Sequence, residues 1–299
     1  MQPELKAIDR HSVFENASML NIGCGRTYHP DWLNLDLKST GPDVVEHDIT
    51  KGIPCATDSI TAVYHSHVLE HLKPEQGVEL LKECYRVLEP GGILRVVVPD
   101  LERIAYLYLN IHEQAWKGEK QAQKDYDWIK LELLDQMVRE SSGGRMGRYM
   151  AAADIQDSEF VRSRVGDEFW ICRSDEHEVR TKPKRRSRLN RFTYNFRENL
   201  VRGWARFLLG DSAVSAIDEG LFRSRGEIHR WMYDRFSLRE LCANIGFETF
   251  EVMSATTSQI EDFSSFELDS VGETVRKPDS LFIECHKTAP TGSTNRRVS

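Results

Sequence analysis

The sequence predicts an α/β protein built on a doubly wound parallel sheet and interrupted by a largely helical insertion. Three observations lead there. A buried strand at 19–22 runs into a glycine turn, Gly23, Cys24 and Gly25, and a second strand at 32–35 ends on the carboxylate of Asp36. Further β-rich runs alternate with short crossovers and helices, each run ending on a polar residue. From about residue 100 to residue 226 the pattern changes to long polar helices, and strand signals return only after Arg235.

Taken in order, residues 1–17 read as a short leader, a helix lying over the sheet. Glycines at the end of a first parallel strand let the backbone come close to a ligand, and an acid at the end of the second can accept hydrogen bonds from ribose hydroxyls. The dinucleotide fingerprint is incomplete, because no third glycine follows and Asp36 arrives well short of the roughly 20 residues that fingerprint requires. Pro30 also leaves little room for the helix that would hold a pyrophosphate. S-adenosylmethionine has no phosphate, and its ribose and zwitterionic methionine end fit this turn better than NAD or FAD; a bare G-x-G also suits a structural turn.

The run 43–49 reads as a third strand ending on Asp48, an acid placed for an adenine amino group or simply solvated in a loop. A fourth strand follows at 60–64. Pro74 opens a helix with Val78, Leu81, Cys84 or Tyr85, and Leu88 at helical spacing, and Glu89-Pro-Gly-Gly92 is expected to end it. The run ILRVVV at 93–98 suits a strand covered on both faces. Past the insertion, SLRELCANIGF predicts a helix stopped at Gly246, with strands at 248–253 and 280–284. The resulting organisation is 1–110 as the first part of a cofactor-binding domain, 111–226 as a helical cap and 227–287 as the C-terminal part. Residues 288–299 read as a disordered tail.

The chain has 299 residues, 40% hydrophobic and 29% charged with net charge -7, a composition that suits a soluble globular protein and no overall nucleic-acid binder. Its six cysteines lack C-x-x-C spacing and read as reduced, which with no secretory leader and no apolar run of about 20 residues predicts a cytoplasmic protein. Within the insertion, residues 180–206 carry about ten Lys or Arg against the single acid Glu198. Phe196, Leu200, Val201, Trp204, Phe207 and Leu208 share one helical face there, which reads as a core stripe. A basic solvated helix packed on the cap and a dock for an anionic acceptor or a phospholipid surface are both open; nucleic acid ranks behind them.

The segments LNIGCG, NLDL, HDI, AVYHSHVLEHL and ECYRVLEPGGILRVVVPDL, in this order, resemble the class I S-adenosylmethionine-dependent methyltransferases of the type 11-like branch, over about residues 18–110 and more loosely 227–287. The resemblance implies a seven-stranded Rossmann-like sheet whose last strand is antiparallel, with the insertion between the fifth and sixth strands. It also implies roles by position. Gly23, Cys24 and Gly25 match the turn under the methionine end, Asp36 followed by Leu37 matches the ribose acid, and Asp48 with Ile49 matches the adenine edge. Ser66 and His67 match the backbone that closes over the cofactor. The abbreviated first crossover resembles a subset found among bacterial polysaccharide-assembly proteins.

After the fourth strand, HSHVLEH concentrates polar chemistry. A helix starting near His67 would place His67, Glu70 and His71 on one face at i, i+3 and i+4. The string also fits the inverted zinc-protease pattern H-x-x-E-H, although it sits at a sheet edge and not on a long helix. Within the methyltransferases it resembles the E-x-x-E-H of small-RNA 2′-O-methyltransferases and some ubiquinone-pathway enzymes, where the side chains hold a divalent ion. With His67 in place of the first glutamate, an ion softer than magnesium is favoured; the plain alternative is a helix start without metal. His229, where the insertion rejoins the sheet, is a candidate base or distal metal ligand, or a residue packed beside Trp231 and Tyr233. The expected activity is O-methylation of a hydroxyl on a glycan, sugar or polyhydroxylated acceptor, anionic or lipid-linked, with Glu70, His71 and His229 as catalytic residues. An N- or O-methyltransferase of a small natural product and a non-catalytic cofactor-binding scaffold are the alternatives.

Overall fold

The computed structural model describes residues 14, 17–152, 158–166, 169, 200–224 and 226–288. Strands β1 (Met19–Ile22), β2 (Leu33–Asp36), β3 (Val44–Glu46), β4 (Ile60–Ser66), β5 (Leu88–Pro99) and β6 (Phe247–Met253) are followed by a small hairpin, β7 (Ser270–Val271) and β8 (Thr274–Val275), and by β9 (Ser280–Lys287). Seven of these form one sheet in the order β3-β2-β1-β4-β5-β9-β6. β1 to β5 pair in parallel, and β9 runs antiparallel between β5 and β6. This is the expected seven-stranded Rossmann-like sheet with its last strand reversed. The leader and the tail beyond Thr288 fall almost wholly outside the described residues.

Helix α1 (Pro74–Val87) begins on its proline, where a missing N–H leaves nothing unsatisfied, and buries Leu80, Leu81, Cys84 and Val87. The Glu89-Pro-Gly-Gly92 segment, expected between helix and strand, instead lies within β5. Ile60 pairs with Leu88 and Ala62 already pairs with Ile93, so the segment bulges out of the ladder, with Gly91 at φ 85°.

The chain divides into two units, residues 1–102 with 230–299, and residues 103–229. Helices α2 (Leu101–Trp116), α3 (Lys120–Val138), α4 (Gly144–Ala151), α5 (Ser158–Val165), α6 (200–209) and α7 (Asp211–Arg223) make the insertion between β5 and β6 helical. In the second unit Trp128, Met146, Met150, Val161, Val165 and Phe169 form a core, and Glu132 inside it accepts from Arg164 and from the indole N–H of Trp128. No helix among the described residues is long and apolar enough to cross a membrane.

In the sheet unit, α8 (Arg235–Ile245) is capped by Asp234, which accepts from Ser237 N–H at 2.7 Å, and stops at Gly246 with φ 115°. Both α1 and α8 pack on one face, over Leu20, Ile22, Val63, Leu94, Val96 and Ile283. The other face has no crossover helix between β1 and β2, since residues 23–32 form only turns. It is covered by the β6–β9 connection, where Ala255, Ile260, Phe263 and Leu268 pack against Trp32, Tyr64, Val97 and Phe282. Trp32 meets Phe263 and Phe266 edge-on.

One buried cation fastens that cover. Arg95 of β5, with 0% exposure, donates from Nε to Asp269 at 2.7 Å and from Nη1 to Glu284 at 2.6 Å, while Nη2 reaches Ser254 O at 2.8 Å. Tyr64 donates to the other Asp269 oxygen at 2.6 Å, and the guanidinium stacks over Phe263. Burial raises the Asp269 carboxyl, and the field of Arg95 opposes that shift. Replacing Arg95 by methionine strands two buried carboxylates, so we expect chemical denaturation to show a loss of about 3 to 5 kcal/mol. A loss below about 1 kcal/mol would show the network to be dispensable.

Candidate active site

Because β1 to β4 are parallel, their carboxyl ends collect the glycine turn, Asp36, Asp48 and His67 along one edge of the sheet, where ligands of open α/β sheets bind. The turn is tightly determined. Gly23 and Cys24 N–H both donate to Leu35 O, at 2.7 and 3.2 Å, and Gly25 N–H donates to an Asp36 oxygen at 2.9 Å. The second Asp36 oxygen accepts from Lys38 N–H at 3.1 Å, and each carboxylate oxygen keeps a further acceptor site. Gly23 is required twice over, by φ 63° and because a Cβ there would lie 2.4 Å from the Val68 side chain. Cys24 is buried, and burial with the nearby Asp36 charge pushes its thiol up to about 12, so it offers backbone and bulk but no thiolate.

Leu37 stands exposed after Asp36, and Ile49 packs partly into the core. Asp48 caps its own short turn, 49–51, accepting from Thr50 N–H at 3.1 Å and Thr50 O–H at 2.7 Å beside Lys51. The Thr50 hydrogen bonds hold its carboxyl below the ordinary value.

Past Ser66 the expected helix does not form. His67 takes a left-handed conformation, φ 55°, its N–H bonding Val97 O at 2.9 Å, and Leu69–His71 make a single 3-10 turn before α1. The i, i+3, i+4 face is therefore not built. The His67 ring is held between Glu70 Oε1, 3.2 Å from Nδ1, and Ser280 Oγ, 2.8 Å from Nε2, so both of its nitrogens are engaged.

Glu70 is fully buried, and its carbonyl accepts Arg230 N–H at 2.7 Å and Trp231 N–H at 3.3 Å as the chain re-enters the sheet unit. His71 is half-buried in the same turn. His229 is buried, the last residue of the second unit, with its N–H on Gln136 O at 2.9 Å; it is joined to Arg230 by one peptide bond. Two further groups belong with Glu70. Tyr233, bridged to Asp100 beyond β5, is pushed up to about 12 by burial and the Glu70 charge. His65 of β4 has both ring nitrogens buried and is pushed down to about 4, by burial outweighing the pull of Glu70. Alternation along β4 puts His65 on the face of Val63, which sequence could have shown; Tyr233 carried no signal beyond its place near His229.

Residues 32–96, from just before β2 into β5, match the family model of a methyltransferase domain. Among solved structures, an S-adenosylmethionine-dependent methyltransferase from Archaeoglobus fulgidus is similar to this chain at 12% identity, covering 93% of this chain and 90% of that one, with TM-score 0.35. A second such enzyme, from Thermotoga maritima, gives 12% identity, 90% and 81% coverage and TM-score 0.35. PKMT2 of Rickettsia typhi, solved with AdoHcy, gives 12% identity, 93% and 50% coverage and TM-score 0.34. No curated protein sequence matches this chain.

The folded-state value of His65 lies below that of a free histidine, so burial keeps it neutral, and its share of stability is complete above about pH 6.5 and lost as pH falls toward 4. Denaturation between pH 7.5 and 5 is expected to show wild type losing up to about 1.4 kcal/mol per pH unit more than a His65→Asn variant. Equal slopes would mean that His65 does not titrate below its ordinary range.

Proposed function

We propose that the protein is an S-adenosylmethionine-dependent methyltransferase that moves the methyl group to a hydroxyl oxygen of a sugar, glycan or similarly polyhydroxylated acceptor, with the cofactor on the glycine turn. Gly23, Cys24 and Gly25 lie under its methionine end, Asp36 takes the ribose hydroxyls with Leu37 beside it, Asp48 and Ile49 border the adenine, and Ser66 and His67 close the pocket. Bound there, S-adenosylmethionine supplies an electrophilic methyl carbon whose bond to sulfur breaks as the acceptor oxygen attacks. The observation that carries the oxygen reading is the buried Glu70 carboxylate at the end of β4, with the chain carrying His229 hydrogen-bonded to Glu70 O through the next residue. A neutral amine needs no such apparatus, whereas an alcohol is a weak nucleophile until its proton is leaving.

In this reading His229 takes the acceptor proton and Glu70 stabilises the imidazolium so formed. In a metal-assisted version of this reading Glu70, His71 and His229 would be the donor set. One carboxylate and two imidazoles suit zinc, iron or nickel better than magnesium, and such an ion would lower the acceptor hydroxyl's pKa. His67 stands outside that set because both of its ring nitrogens have partners, which makes it a positioning residue for Glu70. The abbreviated first crossover supports an acceptor from bacterial polysaccharide assembly.

Asp36→Ala removes a charge-assisted contact, so calorimetry should show S-adenosylmethionine binding weakened at least about tenfold. Unchanged affinity would remove Asp36 from the site.

Glu70→Gln, His71→Ala and His229→Ala should each lower turnover by about 10² or more while cofactor affinity stays near wild type. Activity lost to a chelator and restored by a divalent ion selects the metal, and indifference selects His229 as a plain base. Lost cofactor binding with normal turnover per folded molecule would make these residues structural.

A further inference from the structure

One helix of the second unit is turned inside out. At about 100° per residue, Leu200, Val201, Trp204, Phe207 and Leu208 of α6 fall within an arc of about 120°, the pattern expected of a buried stripe. Yet Trp204 is 61% exposed, Phe207 81% and Leu208 65%. The opposite side of the helix accounts for the orientation. Arg202 Nε donates to Asp218 Oδ1 and Arg206 Nε to Asp211 Oδ1, each at 2.8 Å, so the cationic side is tied to α7 and the apolar side points away from it. Exposed ion pairs of this kind are weak, and they do not compensate for the water contact of several large apolar side chains.

What covers the face is constrained by the sequence joined to it. The twenty residues before α6, 180–199, hold eight Lys or Arg and one acid in a chain whose net charge is -7. A second copy docked face to face would bring two such runs together against their mutual repulsion. A nucleic acid would need cations on the face, but the two arginines of α6 are on the other side and the face offers Leu, Val, Trp and Phe. An anionic bilayer surface meets both features. Apolar side chains can sink to the boundary between headgroups and acyl chains, where Trp is at home, and acidic headgroups attract a basic run within a Debye length without requiring it to hold one conformation.

We infer that α6 is a peripheral membrane contact, docking the enzyme on anionic phospholipid through Leu200, Val201, Trp204, Phe207 and Leu208. This holds whatever the acceptor is, and it would give the enzyme access to acceptors held at a membrane surface.

The test is co-sedimentation of the full chain with phosphatidylcholine vesicles and with vesicles that also contain phosphatidylglycerol. The protein should partition onto the anionic vesicles, less so as salt rises from low to physiological. The combined W204S, F207S and L208S variant should lose about tenfold or more of that partition with an unchanged melting curve, since these side chains are exposed. Absence of binding to anionic vesicles at low salt, or equal binding by the variant, overturns the inference. So does a dimer in sedimentation equilibrium that the same substitutions dissociate while vesicle binding stays absent, which would make the face a contact between copies.

Discussion

A parallel sheet must be covered on both faces, because its strands carry apolar side chains on each. Here that requirement decides much of the architecture. The stretch between β1 and β2 is too short to return by way of a helix, so the face beside Trp32 and Tyr64 is left to the β6–β9 connection. That connection has little regular structure of its own, and a segment without a ladder needs side-chain bonds to hold it. Arg95 supplies them, reaching two carboxylates and the carbonyls of Ser254 and Thr257 from the middle of β5. The short crossover and the buried guanidinium are one adaptation: the first opens the face and the second fastens its cover.

The same shortness shapes the glycine turn. With no helix to receive the chain after Gly25, the backbone turns back on Leu35 O and on the Asp36 carboxylate. Asp36 therefore holds the turn from the carboxyl end of β2. On the far side Val68 closes against Gly23, linking the turn to the segment that carries Glu70 and His71.

Much of this was legible in the chain. Period-two and continuous apolar runs located the strands of the main sheet, and Pro74 and Gly246 marked helix ends by their backbone limits. Local signals misled where a longer contact decided the outcome. Glu89 to Gly92 has the residues of a helix stop, but pairing of Leu88 and Ile93 with β4 on either side of it draws it into a strand as a bulge. HSHVLEH has helical spacing, but the bond from His67 N–H to Val97 O and the ring's contact with Ser280 set a left-handed residue there instead. Arg95 with Asp269 and Glu284 could not be read at all, since its partners lie 174 and 189 residues away. The stripe on α6 was visible in the sequence, but its exposure was not, because periodicity reports a face and not what meets it.

The position of β9 between β5 and β6 has a consequence for how the molecule is made. The ribosome delivers β5, with its ILRVVV run, well before the strand that pairs with its open edge. Arg95 leaves about as early, while Glu284 follows 189 residues later. Through that interval β5 presents an unpaired edge and a buried-type cation without its counter-charges, while the whole insertion is synthesised. An edge of that kind is a template for pairing with other chains. The strand order thus leaves β5 open while the insertion is made, and a charged residue such as Arg95 in the middle of ILRVVV is of the kind that discourages such pairing until its partners arrive.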